Sequence, residues 1–162
     1  MGHLPTDAFT AGTDENGSRL FVARANHNGG IHPCKFHEGH KYRAAQLSWG
    51  GGEHLKFEYE ILRSNKGLYW KSMRIGQIHL SEDAVSTGEE NGAPMYSVRG
   101  TVFGKMTIGK YSSQHKTAYF LYNGEEHEVK HRFVEVLCLN KHLLMMDLNV
   151  RRVMNRYSNT CE

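Results

Sequence analysis

Two pairs of an acid and a lysine recur in the sequence with the same spacing. Asp14 and Lys35 are 21 positions apart, and so are Glu89 and Lys110. A carboxylate can accept hydrogen bonds from two neighbouring hydroxyls of a sugar, and an ammonium group can donate to ring or hydroxyl oxygens. Taken singly, each acid is better explained as a turn residue and each lysine as a solvated surface charge. The recurrence of the whole pair favours a clamp for a polar ligand, built twice in the chain.

The two pairs belong to a longer repeat with a shift of 75 residues. Each pair begins beside an Asn-Gly turn signal, at Asn16 in the first copy and Asn91 in the second. Internal sequence similarity at a fixed spacing of this kind indicates a repeat architecture. We therefore expect three segments: a first repeat over residues 1–75, a second repeat over 76–150, and a basic tail over 151–162.

Short apolar runs bounded by turn residues predict strands. Residues 57–63 alternate strictly between apolar and polar side chains, which is the period of a half-buried strand. Near the end of the chain a helical stripe is possible, formed by Met146, Val150, Val153, Met154 and Tyr157. The alignment of residues 143–150 with 68–75 instead predicts a strand. We expect a loop over 26–40, and a short helix or a frayed end in the tail. The sequence thus predicts an all-β protein of antiparallel sheets, in two pseudo-two-fold-related halves that arose by internal duplication.

The composition is that of a globular protein and excludes several classes. The 162 residues are 39% hydrophobic and carry a net charge of +3, which is too weak and dispersed to indicate binding of nucleic acid. No stretch is long and apolar enough to insert across a bilayer. Cys34, Cys138 and Cys161 show no paired spacing, so we expect free thiols. With no signal-peptide pattern, we expect a cytoplasmic protein, or one released without a signal peptide.

Four residues of metal-ligating type lie close together in the predicted loop: His32, Cys34, His37 and His40. They lack the second half of a zinc site. The segment from Asp14 begins like a calcium loop, but its twelfth position is Ala25, where a bidentate glutamate is needed. We therefore expect neither a metal nor a cofactor.

Six glutamates offer carboxylate pairs of the kind that glycosidases use: Glu53, Glu58, Glu60, Glu125, Glu126 and Glu135. Nothing in the sequence indicates a cleft around them, so surface charge is the better interpretation and we expect no enzyme. Trp49 and Tyr122 occupy corresponding positions and could stack on a sugar, although a repeated aromatic residue is more often core. Cys34, beside Lys35, could be a redox-sensitive thiolate, but a bystander thiol fits better.

The order of motifs resembles a known repeat. The motifs are GTDENG at 12–17, FVARANH at 21–27, PCK at 33–35, WGGGEH at 49–54 and FEYEIL at 57–62. Together they resemble the DM-nine (DM9) repeat, which also forms the lectin-like part of natterin-like proteins. The resemblance implies a homodimeric lectin that binds mannose or high-mannose glycans in microbial or host recognition. It also implies that Asp14 and Lys35 contact the sugar, with Glu89 and Lys110 as the corresponding pair.

The sequence departs from the family pattern close to these residues. Cys34 stands where glycine is usual, whereas Gly109 keeps the glycine in the second repeat. The acid of the second repeat is Glu89, and Val102 corresponds to His27. The cysteine leaves open an alternative, namely an intracellular interaction or immune-modulatory protein that keeps the fold without binding sugar. We do not expect pore formation, because little sequence follows the second repeat.

Overall fold

The computed structural model describes residues 4–64, 66–76, 79–144 and 154–158. Within these residues it has fourteen strands and one short helix. The elements are β1 (Thr10–Thr13), β2 (Arg19–His27), β3 (Gly30–His37), β4 (Ala45–Trp49), β5 (Gly52–Lys56), β6 (Glu58–Leu62), β7 (Leu68–Arg74), β8 (Ser86–Glu90), β9 (Ala93–Val102), β10 (Lys105–Ser112), β11 (Thr117–Tyr122), β12 (Glu125–Val129), β13 (Phe133–Leu139), α1 (Lys141–Leu144) and β14 (Met154–Ser158).

All strand pairs are antiparallel and form one connected network. The order along it is β14-β6-β2-β3-β4-β5-β12-β11-β10-β9-β13-β7, with β1 paired to β2 and β8 paired to both β3 and β9. The prediction of an all-β antiparallel protein is confirmed. No helix in the described part of the chain has the length and apolar character needed to cross a membrane.

The two halves repeat the same strand order. The first half runs β6-β2-β3-β4-β5 and the second runs β13-β9-β10-β11-β12. The shift of 75 places β3 on β10 residue for residue. The halves join where β5 pairs with β12, and where β8 of the second half pairs with β3 of the first. An origin by duplication stays an interpretation of this correspondence.

The last strand of each half pairs with the opposite half. β7 pairs with β13, and β14 pairs with β6. Glu58 and Phe133 are 75 positions apart, but their partners Ser158 and Arg74 are 84 apart, so the second half carries nine extra residues before its last strand. The shift between the halves is 75 residues at β3 and β6 and 73 at β5, and it is 84 at the last strand.

Three local expectations from the sequence need correction. The strand predicted over residues 143–150 is wrong at 143 and 144, which belong to α1, and the rest of that segment lies outside the described residues. In the tail, residues 154–158 form β14 and not a helix or a frayed end. The loop predicted over 26–40 is largely strand β3, which follows β2 through a two-residue turn at Asn28 and Gly29, both with positive φ.

Apolar side chains fill both halves and the space between them. Beneath the junction of the halves, a cluster includes Leu20 and Val22 from β2 with Ile108 from β10 and Leu137 from β13, all nearly inaccessible to solvent. Each such side chain stabilises the fold by about 1.5–3 kcal/mol on burial. This cluster fixes β2 against β10 and β13, beside the cavity that Leu20 also lines.

Candidate functional site

Asp14 and Lys35 line the same cavity, which has a volume of about 240 Å³. The β1–β2 turn and strands β2 to β5 of the first half supply one part of its wall. The β9–β10 hairpin and the β11–β12 turn of the second half supply the rest, including Thr107 and Tyr122. The cavity therefore exists only because the two halves pack together.

Asp14 is fixed by its own turn and by a neighbouring strand. Its Oδ1 accepts hydrogen bonds from the backbone N–H groups of Asn16 (2.9 Å) and Ser18 (2.8 Å), and its Oδ2 lies 2.8 Å from Nε2 of His37. Burial raises the pKa of Asp14, but the hydrogen bonds from Ser18, His37 and Asn16 outweigh it and lower the pKa overall. The carboxylate is therefore ionised at neutral pH. Because a carboxylate has about four acceptor positions, one is left for a ligand.

Lys35 extends from β3 towards the second half. Its Nζ donates a hydrogen bond of 3.3 Å to Oγ1 of Thr107, and no carboxylate of the described residues lies within ion-pairing distance of it. Burial lowers the pKa of Lys35, while the negative charge of Glu53 opposes this change. An ammonium group has three donors, so two can serve a ligand.

Further side chains that line this cavity were not among the predicted site residues. Gln46 donates a 2.5 Å hydrogen bond to Glu53, which fixes that carboxylate in the wall. Lys105 and Glu15 form an ion pair of 2.8 Å that joins the two halves at the cavity. Tyr122 also lines the cavity instead of filling the core. The recurrence of Glu53-His54 as Glu126-His127 was a signal in the sequence that could have identified Glu53.

Glu89 and Lys110 are not brought together in the same way. Lys110 is only 4% exposed, donates to the carbonyl oxygen of Ser48, and has its Nζ 3.2 Å from Oε2 of Glu126. Glu89 is exposed and lines a different cavity. Its neighbour Glu90, not Glu89, faces the buried side, because its Oε1 accepts the indole N–H of Trp49 at 2.9 Å.

The second copy of the cavity is filled by large side chains. Two positions of the first cavity, Val102 and Thr107, correspond to the rings of His27 and His32 in the second. Trp49 occupies the position that corresponds to Tyr122. The ring centroids of His27 and Trp49 lie 5.2 Å apart, and those of His27 and His54 lie 4.4 Å apart. Burial, together with nearby positive charge, lowers the pKa of both His27 and His32. These rings occupy the space in which a ligand of Lys110 would lie.

The four metal-ligating residue types of β3 and the following loop do not converge. His32 is fully buried and its Nε2 contacts the carbonyl oxygen of His27 at 3.1 Å, whereas His37 contacts Asp14. Cys34 is buried in the core of the first half, and burial raises the pKa of its thiol, which opposes thiolate formation. Within the described residues, no group of three or more potential ligands could hold a metal ion.

Two of the glutamates have the same structural role in each half. Glu60 pairs with Arg24, and Glu135 pairs with Arg99 at 2.7 Å, in corresponding positions of the repeat. Arg99 also donates to the carbonyl oxygen of Ala11 at 2.7 Å. These carboxylates therefore fix arginines between strands and do not form a catalytic pair.

A family model described as DM9 repeat matches residues 1–43, 14–129 and 91–145. These overlapping matches reach from the first residue to residue 145 of the 162. No curated protein matches the sequence.

Proposed function

We propose that this chain, which belongs to the DM9 repeat family, is a lectin that binds mannose-type sugars between Asp14 and Lys35. DM9 repeat domains are carbohydrate-binding modules and do not form an enzyme family. Family membership thus supports sugar binding in general. The choice of mannose and high-mannose glycans rests on the resemblance of the sequence motifs.

The observation that carries the proposal is the meeting of Asp14 and Lys35 in one cavity. One residue supplies an ionised carboxylate with a remaining acceptor position, and the other supplies an ammonium group with remaining donors. Vicinal hydroxyls of a pyranose are both donors and acceptors, so they match this pair. A volume of about 240 Å³ lies below the range of about 300–1,000 Å³ for larger ligands and suits a single terminal sugar.

We extend the proposal to a homodimer that recognises branched glycans on microbial or host surfaces. A single polar ligand exchanges hydrogen bonds with water for hydrogen bonds with protein, so the affinity of one site is weak. Two chains that engage one branched glycan would raise the avidity without any new contact. Analytical ultracentrifugation tests the dimer, and a monomer at micromolar concentration would contradict it.

Isothermal titration of mannose into the wild type and Asp14→Asn tests the proposed site. Asparagine keeps a side-chain oxygen for the N–H groups of Asn16 and Ser18 but removes the charge. We expect heat of binding in the wild type and a loss of at least about tenfold in affinity in the variant. Glu128→Gln, at a surface ion pair with Lys130, is the matched control and should bind as the wild type does. Absence of heat with mannose and with high-mannose glycans would end this proposal.

The alternative of an interaction protein without sugar binding rested on Cys34. The thiol packs in the core of the first half and does not line the cavity. No observation on the described residues therefore favours that alternative. A partner captured from lysate and unaffected by competing mannose would support it.

A further inference from the structure

A second, wider cavity lies between two Asn-Gly turns. The turns are Asn28–Gly29, between β2 and β3, and Asn91–Gly92, between β8 and β9, and the cavity has a volume of about 660 Å³. Glu89 and Lys56 are its charged lining residues. The cavity thus combines a carboxylate, an ammonium group and the side-chain amides of both turns.

Glu89 has its charge available to a ligand. It is exposed, and within the described residues its side chain makes no hydrogen bond or ion pair. Its backbone pairs with Ile31 of β3, which fixes the position of the residue at the cavity. Both carboxylate oxygens can therefore accept hydrogen bonds from a ligand.

Lys56 is held at the same cavity by a single contact. Its Nζ lies 3.3 Å from Nδ1 of His27, to which it donates a hydrogen bond. Two of its three donors are left for a ligand. With Glu53 matched to Glu126, Lys56 corresponds to Val129 in the second half, so the first cavity has no lysine at this position. This ammonium group is specific to the wider cavity.

Lys110 is not available to a ligand in the wider cavity. Its ammonium group is buried against the carbonyl oxygen of Ser48 and the carboxylate of Glu126. The rings of His27 and Trp49 pack together on the site that corresponds to the first cavity. A ligand that reaches Glu89 therefore meets Lys56 and not Lys110.

We propose that this wider cavity is a second saccharide subsite, in which Glu89 accepts hydrogen bonds from a pyranoside and Lys56 donates to it. The inference rests on the proposed function, because it takes the same ligand class as the Asp14–Lys35 cavity. It replaces the predicted pairing of Glu89 with Lys110: Lys56 supplies the ligand-binding charge, and Lys110 is structural.

Titration of the ¹⁵N-labelled full chain with methyl α-mannopyranoside, followed by amide chemical shifts, tests the subsite. In the wild type we expect shifts at Ser18 and Gly124 for the first cavity, and at Gly29 and Gly92 for the wider one. Lys56→Met keeps the apolar stem and removes the charge. It should raise the sugar concentration needed at Gly29 and Gly92 at least about tenfold, and leave the first pair of signals unchanged.

Two further variants test whether the response at the wider cavity depends on Lys56 and not on another lysine. Lys130→Met, at an exposed lysine away from both cavities, should titrate as the wild type does. The double variant Lys110→Met with Glu126→Gln should keep the response at Gly29 and Gly92. If the amides of Gly29 and Gly92 do not shift while those of Ser18 and Gly124 do, the subsite alone is overturned. The same holds if Gly29 and Gly92 shift at the same sugar concentration in Lys56→Met as in the wild type. The absence of any shift at all four amides would overturn the proposed function as well.

Discussion

Asp14 closes its turn and also lines the cavity of the proposed sugar site. Its Oδ1 closes the turn through the N–H groups of Asn16 and Ser18, and its Oδ2 lies beside His37 at the cavity. The sequence could predict the turn because its signals are local. It could not predict the contact with His37, since that contact depends on the register in which Leu20 of β2 pairs with His37 of β3.

Glu53 should set the upper pH limit of sugar binding. Its charge opposes the effect of burial on the pKa of Lys35, so Glu53→Gln should lower that pKa further. Binding requires the charged lysine and is lost as the pH rises through its pKa. We therefore expect the affinity of Glu53→Gln for mannose to fall at a lower pH than that of the wild type. Calorimetric titrations between about pH 7 and about pH 10 measure this, with Glu128→Gln as the control.

Unchanged pH dependence in Glu53→Gln would show that this carboxylate does not influence Lys35. A loss of binding at every pH would instead show that Glu53 contacts the sugar itself. The glutamine introduced at position 53 can still accept the hydrogen bond from Gln46 through its side-chain oxygen. The pH dependence therefore tests the effect of the charge of Glu53 on Lys35, apart from the loss of this contact.

His27 and His32, whose rings lie where the second copy of the cavity would be, should make the fold less stable in mild acid. Burial and the charges of His54, Lys56 and Lys110 lower the pKa of His27, and burial and Lys110 lower that of His32. In the unfolded chain these imidazoles take up protons near about pH 6.5, but in the folded chain only at lower pH. The free energy of unfolding should therefore fall as the pH drops below about 6.5.

Urea unfolding at about pH 7.5 and about pH 5.5 measures this loss. His27→Val, which introduces the residue found at the corresponding position Val102, should lose less stability between these two pH values than the wild type does. Equal losses in the two proteins would contradict a role for His27.

At the scale of elements, strand β3 was the principal omission of the sequence-based prediction. Its inward positions include His32, which is fully buried, and the strand also contains Pro33 and the half-buried Lys35. Because these residues are typical of loops, the apolar alternation that marks a strand is interrupted. Strands β6 and β7 were predicted because their buried positions are mainly apolar. The polar residues that obscured β3 include Lys35, the lysine of the proposed sugar site.

The packing between neighbouring strands explains the cysteine of the first half. A Cβ atom at Gly109 would lie 2.3 Å from the carbonyl oxygen of Tyr119 and 2.7 Å from the ring of Phe120, so only glycine fits. The corresponding residue Cys34 belongs to the same core cluster as Leu47, which replaces Phe120 in the repeat. The β3–β4 pairing also ends at Lys35, one residue short of Cys34, whereas the β10–β11 pairing continues to Gly109. The wider spacing and the smaller side chain on β4 together leave room for a larger side chain on β3.

Gly109→Ala should therefore lower the free energy of unfolding by about 1–3 kcal/mol, through overpacking against β11. Urea unfolding measures it. Cys34→Ala, which only removes one sulfur atom from the corresponding place, is the matched comparison and should cost less. A Gly109→Ala variant within about 0.5 kcal/mol of the wild type would contradict this packing argument.

For the whole molecule, both lysine sites are assembled from two halves. Lys35 of the first half contacts Thr107 of the second, and Lys110 of the second contacts Ser48 of the first. The repeat in the sequence predicted the matching strands. It could not predict that β7 and β14 exchange halves, because periodicity carries no information about which sheet edge a strand joins. The nine extra residues before β14 also displaced the alignment there.

The buried pair of Lys110 and Glu126 should act as a structural link between the halves. Lys110→Met leaves the carboxylate of Glu126 buried without its partner, and we expect a loss of about 3 kcal/mol in the free energy of unfolding. The double variant with Glu126→Gln should recover part of this loss. Lys130→Met, at an exposed pair, should cost less than about 1 kcal/mol. Urea unfolding measures these losses. Equal losses in Lys110→Met and Lys130→Met would contradict the structural role of Lys110.

A crystal structure of the full chain with methyl α-mannopyranoside would show whether the sugar binds between Asp14 and Lys35. We expect a sugar in the cavity between the halves, with adjacent hydroxyls in hydrogen-bonding distance of Oδ2 of Asp14 and Nζ of Lys35. A sugar bound elsewhere with this cavity empty, at a concentration that saturates binding in solution, would contradict it.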